Sequence, residues 1–241
     1  MKNICSILKK AENKKLLVVF PHPDDESFAT GGLLLKAKKL GFETHLLTLT
    51  RGGAGRISIN PKGKSLKEIR SEELLQSTRI LGVDNLILTD FDDGKLKSRN
   101  GWCKVVEKCL LKIKPAVVVT YDPSGATGHP DHIKLCLKVK EIVSKLDQKS
   151  RPVLVWTTFY PQIARHFVPG EVRNYLVDAD YELKLTLLEV ITKFRAILSH
   201  RSQRYENLFA IVLGMLIVKK EWYHRVELGR QYPYKYIDFK I

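Results

Sequence analysis

The chain has 241 residues, 44% of them hydrophobic, and 41 Lys+Arg against 26 Asp+Glu give a formal net charge of +15. This length and apolar share fit one α/β domain over residues 1–241 with a sizeable core. Four cysteines without a C-x-x-C pair argue against a disulfide scaffold and for a reducing, cytoplasmic setting. The longest apolar run, residues 208–218, falls well short of the roughly 20 residues that span a bilayer, leaving core or a peripheral membrane contact.

Residues 1–15 are polar and lysine-rich, without the apolar centre of a signal peptide. Residues 16–20 are an unbroken apolar run, the pattern of a strand buried on both faces in a parallel sheet. The run ends in His22-Pro23-Asp24-Asp25-Glu26, a turn whose two prolines (Pro21, Pro23) fix φ and remove backbone donors. An imidazole and a carboxylate three residues apart on a stiff turn can grip one cation, leaving the neighbouring carboxylate for acid–base work. The plainer alternative is a polar turn in which Asp24 or Asp25 caps the next helix.

That helix is expected over 27–40, with Gly31-Gly32 allowing close packing and Gly41 stopping it. A strand over 43–50 follows, so a βαβ rhythm is set early and predicts a parallel sheet. The glycine-rich stretch 51–56 has neither P-loop nor dinucleotide spacing and reads as a flexible loop on the substrate side. A helix over 66–81 carries Arg70 and Glu73 three apart, as a modest surface pair or, near a site, as a guanidinium fork for a substrate oxygen. A strand over 85–89, a helix over 102–113 and a buried strand over 115–121 come next. At the end of that strand stands a long polar loop closing on Gly128-His129-Pro130-Asp131-His132. A helix over 133–145, a strand over 153–156 and a helical pattern over 181–198 complete the assignable elements.

Both histidine loops leave the carboxyl ends of strands, where open α/β sheets bind ligands. Two histidines and one carboxylate make a common three-ligand zinc set with a position open for water, whose pKa zinc lowers towards about 7. Asp24 and His129 are the spare groups beside the ligand pairs.

The motifs His22-Pro23-Asp24-Asp25-Glu26, Arg70-x-x-Glu73, Asp93-Gly94, Gly128-His129-Pro130-Asp131-His132 and His200-x-Ser202-Gln203 occur in an order that resembles the PIG-L/LmbE-like family of zinc-dependent N-acetylglucosaminyl deacetylases. The resemblance implies a Rossmann-like α/β fold, a mostly parallel sheet with helices on both faces. It implies one Zn2+ per chain on His22, Asp25 and His132, Asp24 as general base, and His129 as leaving-group acid or oxyanion stabiliser oriented by Asp131. Arg70 falls where the family binds substrate. Gly53 stands where many relatives carry an acid, so substrate contacts there do not transfer; Glu221 also belongs to the family's pattern. The expected activity is hydrolysis of the N-acetyl group of an N-acetylglucosamine conjugate, by a chain that could form a homo-oligomer. The rivals are another amide or ester substrate at the same site, or a basic nucleic-acid or membrane-surface protein. Lysines without interleaved aromatics weigh against the last of these.

Overall fold

A computed structural model describes residues 1–159, 168, 170–203 and 219–232. Eight strands form one sheet: β1 (Lys2–Asn3), β2 (Lys15–Phe20), β3 (Glu43–Thr50), β4 (Asn85–Phe91), β5 (Val117–Tyr121), β6 (Val153–Thr158), β7 (Tyr181–Lys184) and β8 (Lys220–Arg225). Their order is β1-β7-β8-β6-β5-β2-β3-β4. From β4 to β6 the neighbours are parallel, whereas β8 runs antiparallel to β6 and β7. The helices are α1 (Cys5–Lys10), α2 (Asp25–Lys39), α3 (Leu66–Leu81), α4 (Gly101–Ile113), the short turn α5 (Gly125–Gly128), α6 (Pro130–Lys145) and α7 (Leu187–Ser199).

The apolar run of β2 divides by the two-residue period of a strand. Leu16, Val18 and Phe20 face a core shared with α1, α2, α3 and α7, while Leu17 and Val19 face a second core shared with α4 and α6. The expected helices on both faces are therefore present. The chain winds from β2 out to β4 on one side, then returns to place β5 and β6 on the other. The order reverses between β2 and β5, and the crevice at such a reversal is where open α/β sheets bind ligands.

Most boundaries shift by one to a few residues from the sequence reading, and three differences matter. Residues 181–184, read as the start of a helix, form strand β7, with Tyr181 and Leu183 turned inward. Helix α7 begins only after Thr186, whose hydroxyl and Glu189 make a reciprocal capping box. Helix α6 begins at Pro130, not Ile133, because proline's missing donor and fixed φ suit the first helical position. The apolar run 208–218 lies outside the described residues. Among the described residues no helix is long and apolar enough to cross a membrane.

Candidate active site

The crevice collects the expected residues. His22 and Asp25 arrive from the β2–α2 turn, and His129 and His132 from the cap and first turn of α6. Asp24 makes no side-chain cap bond to α2, and the N-cap of α6 is His129, whose ring accepts the Asp131 N–H at Nδ1 (3.2 Å).

Hydrogen-bond partners assign the tautomers. His132 Nδ1 lies 3.1 Å from the Gly125 carbonyl and must carry a hydrogen to bond it, so its Nε2 holds a lone pair. His22 Nε2 lies 3.0 Å from Asp93 Oδ1 and 3.3 Å from Asp131 Oδ2, so it too carries hydrogen and leaves Nδ1 as the lone-pair atom. That Nδ1 faces His132 Nε2 at 3.1 Å. The Asp25 oxygens complete the group, 3.7 Å from His22 Nδ1 and 3.5 Å from His132 Nε2. Three buried donor groups thus converge, and with His22 neutral their lone pairs face one another, an arrangement that a bound cation, or a proton on His22 Nδ1, satisfies. This N,N,O set suits a divalent metal, and among the described residues two groups sharing His22 lie close enough together to hold one: His22, His129 and His132, and His22, Asp93 and Asp131.

The protonation tendencies show where the site favours positive charge. Burial lowers His22, but the Asp131 and Asp93 carboxylates outweigh it and push the imidazole up to about 10, a site asking for positive charge. Burial, reinforced by His22 and His129, holds His132 well below its ordinary value, so its ring stays neutral. Burial likewise lowers His129, leaving a neutral ring whose Nε2 bears the hydrogen. Asp25 is raised by burial, against His22 and the Tyr121 hydroxyl that donates to its Oδ1 at 2.7 Å.

Asp131 differs from expectation. Its carboxylate does not turn to orient His129; it accepts the N–H groups of Gly94 (2.8 Å) and Leu96 (3.1 Å) and braces His22. Such carboxylate–histidine contacts fix a ligand's tautomer and orientation. Asp93, read from the sequence as a motif without a role, shares that task while holding the Ala54 N–H of the glycine-rich loop at 2.9 Å. Its place at the end of β4, beside Gly94, was the available signal. Tyr121, the last residue of β5, was missed because an apolar run hides a polar tip.

Arg70 and Glu73 are not a surface pair. Arg70 is buried, donates to Pro23 O (2.5 Å) and Gly52 O (3.2 Å), and stands 3.4 Å from Asp24 Oδ2. Glu73 accepts the N–H and hydroxyl of Ser202, both at 2.7 Å. Gly52 is required beside Arg70: its φ is +67°, and a Cβ there would lie 2.4 Å from Arg70 Nη1. Arg70 still lines the cavity, so it serves site and fold together. Arg70→Ala is accordingly expected to cost at least about 1–3 kcal/mol of stability, from buried carbonyls left without donors, as well as activity. A melting temperature equal to wild type would contradict this.

The cavity has a volume of about 680 Å³ and runs across the carboxyl ends of the sheet. Arg70, Asp93 and Gln203 line it on the β3–β4 side, and Phe28, Thr157 and Trp222 toward β6 and β8.

Comparison with known proteins gives a concordant result. The model of the PIG-L family, GlcNAc-PI de-N-acetylase, matches residues 17–143. The chain is 31% identical over 166 residues to a probable N-acetyl-alpha-D-glucosaminyl L-malate deacetylase 2 of Bacillus anthracis, covering 67% of this chain and 73% of that protein. It is 32% identical over 202 residues to diacetylchitobiose deacetylase of Thermococcus kodakarensis, covering 82% and 73%. The solved N,N'-diacetylchitobiose deacetylase of Pyrococcus horikoshii shares the fold, with a TM-score of 0.71 at 22% identity over 94% of this chain and 88% of that one.

Proposed function

The chain belongs to the PIG-L family, and on that premise we propose that it uses zinc, held by His22, Asp25 and His132, to remove the acetyl group from an N-acetylglucosamine-containing substrate. It is a hydrolytic N-deacetylase. The observation that carries the metal assignment is the convergence of His22 Nδ1, His132 Nε2 and the Asp25 carboxylate as lone-pair donors.

Zinc, when bound, supplies Lewis acidity toward the amide carbonyl and lowers the pKa of water. Asp24 takes the proton of the attacking water. Burial pushes its carboxyl up to about 6, with Arg70 pulling the other way and Asp25 adding to the rise, which places a base near neutral pH. His129, neutral and bearing hydrogen on Nε2, suits donation to the oxygen that becomes negative as water adds to the carbonyl. Asp24 then delivers its proton to the departing nitrogen, the C–N bond breaks, and acetate and a free amine result. Asp131 and Asp93 keep the His22 ring in its ligating orientation. Arg70 offers its cavity-facing edge to a substrate oxygen.

A panel of N-acetylated sugar conjugates assayed for acetate and free amine tests the substrate assignment; no release from any sugar conjugate, with release from a simple amide or ester, would redirect it. The metal assignment predicts about one zinc per chain. Chelation is expected to abolish release, added zinc to restore it, and His132→Ala to lose the metal. Equal metal in His132→Ala and wild type would remove His132 from the ligand set.

A further inference from the structure

Asp24 has φ +102° and ψ −32°, a conformation that side chains other than glycine's rarely adopt. Strain of this kind, of order 1–3 kcal/mol, persists only where surrounding contacts over-determine it. Those contacts are specific. The Asp24 carbonyl accepts from the N–H groups of Ser27 (3.1 Å) and Phe28 (3.2 Å) and from the Ser27 hydroxyl (2.8 Å). The preceding carbonyl, of Pro23, accepts from Arg70. The Asp24 N–H is taken at 3.0 Å by Glu26 Oε2, two residues on.

Glu26 is fully buried yet carries a charge-bearing group, which calls for a reason beyond packing. Its other oxygen accepts from the Ser77 hydroxyl of α3 (2.5 Å) and meets His200 Nε2 at 2.9 Å, just after α7. His200 and Ser77 are also buried. Two groups that are distant in sequence therefore converge on one carboxylate, whose remaining oxygen grips the backbone of the base. The His200-x-Ser202-Gln203 motif gains a physical purpose here: Ser202 ties the same loop to Glu73, and His200 fixes Glu26.

We propose that Glu26 and His200 are positioning residues of the deacetylation reaction: His200 and Ser77 hold Glu26, and Glu26 holds the backbone N–H of Asp24 so that its carboxylate is presented to the attacking water. This rests on Asp24 being the general base. Neither residue needs to touch substrate. What matters at position 26 is an acceptor of fixed place, a role an amide oxygen can also fill.

The test is a pair of substitution cycles with kcat, KM, metal content and melting temperature read for each variant. Glu26→Ala and His200→Ala are expected to lower kcat by about 10- to 100-fold, the scale of a misplaced reacting group, with KM and metal content near wild type. Glu26→Gln, which keeps an acceptor for the Asp24 N–H, is expected to recover most of the rate. In an Asp24→Asn background the same alanine substitutions are expected to change the residual rate by less than about twofold, because groups acting through one residue are not additive. If Glu26→Ala does not fold, Ser77→Ala replaces it, with a several-fold kcat loss expected in wild type and none with Asp24→Asn. Equal losses in both backgrounds, or lost metal, would show that Glu26 shapes the whole site and overturn the proposal. Full activity in Asp24→Asn alone would instead remove the base assignment beneath it.

Discussion

Asp24→Asn is expected to lower kcat by about 10²–10⁴-fold, the usual contribution of a general base, while retaining its metal and its affinity for substrate. The adjacent Asp25→Asn is expected to do the opposite, losing metal first, because a neutral amide is a poor zinc ligand. The geometry separates the two. The Asp25 oxygens lie 3.5 and 3.7 Å from His132 Nε2 and His22 Nδ1, whereas Asp24 faces Arg70 at 3.4 Å. The pH dependence follows from the same side chain. As the proposed base, Asp24 would work in its ionised form, so kcat/KM is expected to fall as pH drops through its pKa. Burial sets that value at about 6, and a bound cation moves it lower, so the acid limb is expected at pH 6 or below. The limb should vanish in Asp24→Asn. In Arg70→Ala it should move up, because the cation that opposes the rise is gone. Metal content and rate profiles at matched zinc decide the matter; an Asp24→Asn protein stripped of metal beside an active, metal-poor Asp25→Asn would reverse the assignment.

Glu221→Ala is expected to destabilise the protein by about 3–5 kcal/mol, the cost of leaving a buried charge without its partner. Glu221 accepts the N–H groups of Gly32 (2.7 Å) and Leu33 (2.9 Å) within α2, and the Tyr223 hydroxyl at 2.5 Å. Lys193 of α7 donates to it at 2.6 Å, with both side chains buried. At about 2–4 °C per kcal/mol for a chain of this size, the melting temperature should fall by roughly 6–20 °C. Gly32 belongs to the same joint, since a Cβ there would lie 2.5 Å from Leu185 Cδ2 and 2.9 Å from Glu221 Oε1. Adding Lys193→Met to Glu221→Ala removes the stranded cation and is expected to recover part of the loss. A Glu221→Ala protein melting within about 2 °C of wild type would show that the joint is not stabilising.

What the sequence determined by itself was local. The apolar run of β2, the helix over 66–81 with its left-handed Gly82, and the proline-stiffened turn are all set by residues near one another in the chain, and each lies where its pattern placed it. The pairing of the two histidine loops was legible for a related reason, since parallel strands of one sheet deliver their carboxyl-end loops to the same edge of it. The tertiary structure alone decided which side chains meet across long separations. Arg70 turned from Glu73 to Asp24, Asp131 from His129 to His22, and Glu26, Glu73 and Glu221 found partners on or beside α7. No periodicity encodes those pairings, because they depend on the reversal of strand order at β2 and on which faces α2, α3 and α7 share. The strand β7 shows the same limit: Tyr181 and Leu183 alternate too briefly to be told from a helix, and only β1 and β8 lying on either side make those four residues a strand.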